Sequence, residues 1–256
     1  DQDMLAPAIE QMAYFGLTNQ KTGLPLKVII RSAHDANALA NEAAKINSKE
    51  GYALSITEQS ATIIANDNIS ANYGLLTLMQ VFDAQHGRFP ITEIADSPRF
   101  EFRGMHLDIA RHFPGKAAIE SVVRQMFTYK LNKLHLHLSD DEGWRLAIDA
   151  LPELTEIGAF RCHDLSEAQC LLPQLGSGPF KSATGNGFLT QQDYIEILTM
   201  AHARGIEVIP SLDMPGHARA AIVAMNARYK RLMAEGELDA ANEFLLVDKE
   251  DKTQYE

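Results

Sequence analysis

The 256-residue chain has no run of about 18 consecutive apolar residues, the least that a membrane-spanning helix needs, and it does not open on a basic stretch followed by an apolar one. No helical membrane span is expected, and any export signal is expected to have been removed or to lie outside these residues. Runs of Lys and Arg are also missing, and 34 acidic against 23 basic residues leave a formal net charge of -11. Such a chain offers no counter-charge to phosphates, so a nucleic-acid partner is not expected and a neutral or cationic small molecule fits better. Internal repeats and low-complexity tracts are absent. Cysteine is scarce: Cys162 and Cys170 lie eight positions apart in the polar stretch RCHDLSEAQC. They admit three readings: a small disulfide ring in an oxidising compartment, two free loop thiols in a reducing one, or metal ligation with His163. The metal reading is the weakest, because structural zinc normally takes four ligands at tighter paired spacing.

What is present suits one large domain or two smaller ones, with 46% of residues hydrophobic. Residues 1–97 read as a small mixed domain. Strands are expected at Leu26–Ile30, Tyr52–Ile56 and Ala61–Ala65, and helices at Ala33–Ala44 and Ser70–Phe82, in the order β-α-β-β-α. The Asp96-Ser97-Pro98 step is the expected boundary, since proline resists continuing either element. In residues 98–256 the rhythm changes to strand, helix, strand, helix, the pattern of parallel βαβ units. Strands are expected at Gly104–Ala110, Lys133–Leu138 and Ile206–Leu212, with helices at Lys116–Tyr129, Gln191–Arg204 and His217–Ala234. The loop after the second strand exceeds forty residues and should hold short helical pieces around Ala150–Ile157. A closed (β/α)8 barrel takes about 250 residues. Only about 158 follow Pro98, with three convincing strands. The sheet is expected to be open, or to be the front of a longer barrel.

Three polar clusters follow these three strands: Asp108-Ile109-Ala110-Arg111-His112-Phe113, Ser139-Asp140-Asp141-Glu142-Gly143-Trp144-Arg145 and Asp213-Met214-Pro215-Gly216-His217. In a parallel sheet all three gather on the rim at the strands' carboxyl ends, where such folds place active sites. Each alone is equally readable as an ordinary polar loop with helix-capping acids. Arg111 offers a planar fork suited to paired hydroxyls or a carboxylate, or else a structural ion pair with Asp108 or Asp140. Asp140 and His217 suit a carboxylate–imidazole pair that tunes a proton donor, or a satisfied rim network. Trp144 either stacks on a sugar ring or packs against the following helix. His135 and His137 share one face of their strand, opposite Leu134, Leu136 and Leu138. An H-x-H pair also opens metal-dependent amidohydrolases, but imidazoles filling a barrel's interior are the simpler reading, and neither metal nor cofactor is expected.

FRGMHLDIARHFPG, YKLNKLHLHLSDDEGWRLAID and RGIEVIPSLDMPGHARAA resemble successive strand-loop motifs of the β-N-acetylhexosaminidases, glycoside hydrolase family 20. CHDLSEAQCLLPQLGSGP and ARYKRLMAEGELDAANEFLLVD resemble its bacterial chitobiase branch. The resemblance runs from about Pro98 to Asp248 and extends more loosely to the first domain. It implies a small α/β domain followed by the first part of a TIM (β/α)8 barrel, incomplete in this chain. The implied reaction removes terminal N-acetylglucosamine from chitobiose and longer chito-oligosaccharides with retention, the substrate's own acetamido oxygen attacking the anomeric carbon. By the same resemblance Arg111 binds hydroxyls of the nonreducing sugar, while Trp144 is expected as a second substrate-binding residue on its sugar-stacking reading alone. Asp140 and His217 support the general acid. The disulfide reading of Cys162 and Cys170 rises too, because chitobiases are exported. The family's adjacent Asp-Glu pair in H-x-G-x-D-E does not occur in this chain, and Asp141-Glu142 belongs to the second-strand loop. Ser211 stands where the family usually carries Glu. Alone, the chain is expected to be inactive and to invite association through its open barrel edge. The alternative is a non-catalytic N-acetylglucosamine-binding or scaffold protein.

Overall fold

Alternating β-branched and aliphatic residues make strands of Leu26–Ile30 (β1), Tyr52–Ile56 (β2) and Ala61–Ala65 (β3). The computed structural model describes residues 2–18, 20, 23–31, 46 and 49–245, and the helix expected at Ala33–Ala44 lies outside them. The chain divides into two compact units: Asp1–Arg103 with Arg124–Asn132 and His202–Ile206, and the remainder.

In the first unit a further strand, Thr92–Asp96 (β4), completes a sheet of order β1-β3-β2-β4. β1 runs parallel to β3, while β2 is antiparallel to both its neighbours. Among the described residues two α-helices accompany it, Ala6–Tyr14 (α1), with proline in its first turn, and Asn68–Gln80 (α2). Asp67 and Ser70 cap α2 reciprocally: the Asp67 carboxylate accepts from the Ser70 backbone N–H at 2.7 Å, and the Ser70 hydroxyl accepts from the Asp67 N–H at 2.9 Å. Gly74 lets α2 approach the sheet closely, since a Cβ there would lie 2.6 Å from Ile63 Cγ2. The α1 helix and β4 were not expected from the sequence. β4 reads TEIAD, whose acidic and small residues carry little strand propensity, and it is fixed by pairing with β2.

The second unit is built on three parallel strands, Gly104–Asp108 (β5), Lys133–Asp140 (β6) and, after a two-residue strand Gly143–Trp144 (β7), Glu207–Leu212 (β8). β6 lies between β5 and β8, and β7 turns back antiparallel onto Ser139 and Asp140. Lys116–Thr128 (α3) connects β5 to β6. Glu153–Glu156 (α4) and Gln191–Ala203 (α5) precede β8, and Arg219–Glu235 (α6) and Leu238–Asn242 (α7) follow it. Period-two alternation gives this sheet two distinct faces. Leu136 and Leu138 join Ile109, Ile119 of α3 and Ile197 of α5 in a fully buried cluster. His106, His135 and His137 lie on the other face, with His106 beside His135 at 4.6 Å between ring centroids and 6.0 Å from His137. Among the described residues β5 and β8 have no further strand neighbour, so both edges are open. The architecture is a small α/β domain followed by the first strand-helix units of a barrel.

Candidate active site

Strict alternation would place Asp140 on the leucine side of β6, together with Leu136 and Leu138. It does not go there. The β6–β8 register shifts between His137 and Ser139, and this irregularity re-aims the strand's end so that Asp140 joins His137. His137 Nε2 lies 2.9 Å from Asp140 Oδ2. The displaced residue thereby becomes the centre of the rim.

Asp140 is 1% exposed and fully engaged. Arg111 Nη2 approaches its Oδ2 at 2.5 Å, while its Oδ1 accepts from the Asp141 backbone N–H at 2.7 Å and faces His217 Nδ1 at 3.2 Å. Burial alone would raise its pKa, but His137, the Asp141 N–H, the Arg111 charge and His217 together outweigh that and hold it below the usual carboxylate range. Arg111 is held in turn by three carboxylates. Asp108 Oδ2 accepts from Nη1 at 2.8 Å, and Glu142 Oε2 forms an ion pair with Nε at 3.3 Å without hydrogen-bond alignment. Burial would lower the guanidinium's pKa, yet these carboxylates keep it raised. About a third of the side chain remains exposed, which leaves the fork open to a ligand.

His217 reaches the rim from the loop after β8, in a left-handed backbone conformation (φ 56°) that only a constrained loop imposes on a non-glycine residue. Its imidazole is 62% exposed, available to whatever occupies the rim. Asp141 stands 3.7 Å from the same Nδ1 and accepts from the Arg219 backbone N–H at 3.1 Å, tying the start of α6 to the cluster. Arg219 Nη2 also meets both carboxylate oxygens of Glu167 at 2.6 Å. Glu167 lies in the loop closed by the Cys162–Cys170 disulfide, whose Cα atoms are 5.8 Å apart. The bonded pair is the ring reading of RCHDLSEAQC. His137, Asp140 and Asp213, and likewise Asp140, Asp141 and His217, bring ligand atoms within 4.8 Å of one another. A cation would fit such a spacing, but Arg111 already brings a positive charge to Asp140.

The structure brings Arg111, Asp140 and His217 together and places Trp144 elsewhere. Trp144 is 7% exposed, donates from Nε1 to the Leu146 carbonyl at 2.6 Å, and packs with Leu154, Leu171, Ala220 and Ala224. It packs against α6, and its buried ring offers no open face for a sugar. The sequence reading missed Arg145. Its side chain is fully buried and donates to the carbonyls of Ile109 (3.0 Å), Ala110 (2.7 Å), Ala159 (2.7 Å) and Gly187 (3.0 Å). Burial first, and the nearby Arg161 charge, push its pKa down to about 9, so it stays charged at neutral pH. The Ile109 and Ala110 carbonyls immediately precede Arg111, so Arg145 fixes the loop that carries the exposed fork. The signal available in the sequence was Gly143, two residues before an arginine in a polar loop: a Cβ there would overlap the Arg145 guanidinium.

A parallel sheet with arginine, carboxylate and imidazole converging at its carboxyl rim can bind hydroxyl-rich rings and support a proton donor. The family model described as "Glycosyl hydrolase family 20, catalytic domain" matches residues 100–254, and the one described as "Glycosyl hydrolase family 20, domain 2" matches residues 3–97. Fold and rim thus define part of a barrel-type glycoside hydrolase. The chain is 48% identical over 253 residues to beta-hexosaminidase B of Pseudoalteromonas piscicida, covering 99% of this chain and 31% of that protein. To N,N'-diacetylchitobiase of Vibrio harveyi it is 46% identical, covering 95% of this chain and 27% of that one. Its fold is similar to the crystal structure of an exo beta-N-acetylglucosaminidase from Vibrio harveyi in complex with N-acetylglucosamine. That match has a TM-score of 0.70 and 33% identity, and covers 88% of this chain and 33% of the other. The chain belongs to glycoside hydrolase family 20, and it spans about a third or less of the length of these relatives.

Proposed function

We propose that the chain is the sugar-recognising and acid-supporting part of an exported β-N-acetylhexosaminidase of chitobiase type. Its substrate class is chitobiose and longer chito-oligosaccharides, from which terminal N-acetylglucosamine is removed with retention through an oxazolinium ion formed by the substrate's acetamido group. The observation that carries this reading is the contact of Arg111 and His217 with one buried carboxylate, Asp140, at the rim. Arg111 takes the nonreducing sugar's hydroxyls through the exposed part of its fork. Asp140 and His217 orient the general acid and adjust its proton affinity. That acid belongs to an H-x-G-x-D-E motif that these 256 residues do not contain. The Cys162–Cys170 bond supports export, since disulfides persist in oxidising compartments. Open edges at β5 and β8 support association with further strands that complete the barrel.

The test is hydrolysis of a chromogenic N-acetylglucosaminide by the 256-residue chain and by the natural-length protein. Release of the chromophore by the natural-length protein alone supports the reading. Full activity of the chain by itself would refute the assignment of the acid to a missing motif. Binding of N-acetylglucosamine without hydrolysis by either would favour the non-catalytic binding protein.

A further inference from the structure

Ser211 faces two imidazoles at once. Its Oγ lies 2.8 Å from His135 Nε2 and 2.9 Å from His137 Nδ1, and the far nitrogen of His137, Nε2, reaches Asp140 Oδ2 at 2.9 Å. The β6–β8 register brings this about by setting Ser211 beside His137, so the hydroxyl lies between two side chains of one strand face. Proton counting gives the chain a direction. Asp140 is ionised and only accepts, so a neutral His137 must carry its proton on Nε2 and accept at Nδ1. Ser211 has one hydroxyl proton and must donate it to that Nδ1. Its oxygen then accepts from His135, which must carry its own proton on Nε2.

We propose that Ser211 is a proton relay between His135 and His137, connecting the polar face of the sheet to the Asp140 cluster. When a proton arrives at His135 Nδ1, His135 releases the proton on Nε2 to the Ser211 oxygen as Ser211 releases its own to His137 Nδ1. One O–H bond forms as another breaks, serine stays neutral, and the positive charge moves from His135 to His137 beside Asp140. His137 is buried and His135 half-buried, and both lie on the sheet face that carries His106. Its use rests on the proposed function: the relay lets a proton held on this imidazole face reach the carboxylate that supports the general acid. The groups that set its charge are His106 and Asp108 on β5, Asp140 at the end of β6, Asp213 after β8, and, through Asp140, Arg111 and His217.

The test is nitrogen NMR of the histidine side chains in the chain with whatever flanking sequence its natural protein carries, labelled with 15N-histidine and assigned with His135→Phe and His137→Phe. The expected parent pattern is a single Nε2–H tautomer for both His135 and His137. In Ser211→Ala, His137 keeps its tautomer because Asp140 dictates it, while His135 loses its single tautomer and His137 Nδ1 loses its hydrogen-bond donor. Ser211→Thr, which retains the hydroxyl, restores the parent pattern, a rescue that packing alone would not produce. A His135 protonated on Nδ1 in the parent, or unchanged in Ser211→Ala, would overturn the relay, and the parent spectrum suffices for the first of these if the alanine variant does not fold. Because no sugar is present, failure of the hexosaminidase reading would show in the hydrolysis assay and leave this result standing.

Discussion

Gly143→Ala should destabilise the second unit by far more than one methyl group suggests. A Cβ at position 143 would lie 2.7 Å from Arg145 Nε and nearer still to Cζ and Nη2. The end of a flexible arginine would normally swing aside at little cost. Here it cannot, because the guanidinium is fully buried and pinned to four backbone carbonyls within 3.0 Å. Moving it strands a buried charge and four carbonyl acceptors, and breaking a buried charge away from its partners costs about 3–5 kcal/mol. With a urea slope of about 1–3 kcal/mol/M, the unfolding midpoint should fall by about 1 M or more. Trp144, the single tryptophan of the chain, lies between the two residues and is buried, so its emission reports the transition at the site itself. In an Arg145→Ala background the same change should cost less than about 1 kcal/mol, because the overlap is gone. An unshifted midpoint for Gly143→Ala, or equal losses in both backgrounds, would refute the claim that this glycine exists to house the arginine.

Asp140→Asn should flatten the acid limb of stability. The folded pKa of Asp140 lies below its free value of 3.8, so its contribution is fully present above that value and disappears as pH falls through the folded pKa. Acid unfolding followed by circular dichroism should show the variant less stable at neutral pH and the difference closing in strong acid. Reducing the Cys162–Cys170 bond, or replacing both cysteines by serine, should cost about 2–3 kcal/mol from loop closure. Because Glu167 in that loop grips Arg219, reduction should also increase hydrogen exchange at the start of α6. Arg111→Lys keeps the charge but loses the fork that spans Asp108, Asp140 and Glu142. Calorimetric titration of the natural-length protein should show N-acetylglucosamine affinity falling by about 1.5–3 kcal/mol, with little change in thermal stability.

Much of the second unit was legible because period-two alternation in LHLHL and helical spacing between strands are strong, local signals. The three strands of the parallel sheet and the gathering of the three polar clusters at its carboxyl rim follow from them, but the side to which Asp140 turns does not. The bulge after His137 was not legible, since nothing local in HLSDD says that the register with β8 shifts. Without it alternation sends Asp140 to the wrong face. Trp144 was undecided for a similar reason: the side a loop residue faces depends on a hairpin, β7, only two residues long. Arg145 looked like one more charge in a polar loop, and its burial depends on carbonyls contributed by segments up to 42 positions away. Ser211 read only as a departure from the family's glutamate. Its place between two imidazoles required the β6–β8 register.

The most direct measurement is an NMR titration of the natural-length protein with N-acetylglucosamine, observing the arginine side-chain and histidine signals. The account predicts saturable shifts centred on the Arg111 guanidinium and the His217 ring, absent in Arg111→Ala, with the buried Trp144 indole unmoved. Saturable binding that leaves Arg111 and His217 undisturbed, or no binding at all, would contradict it.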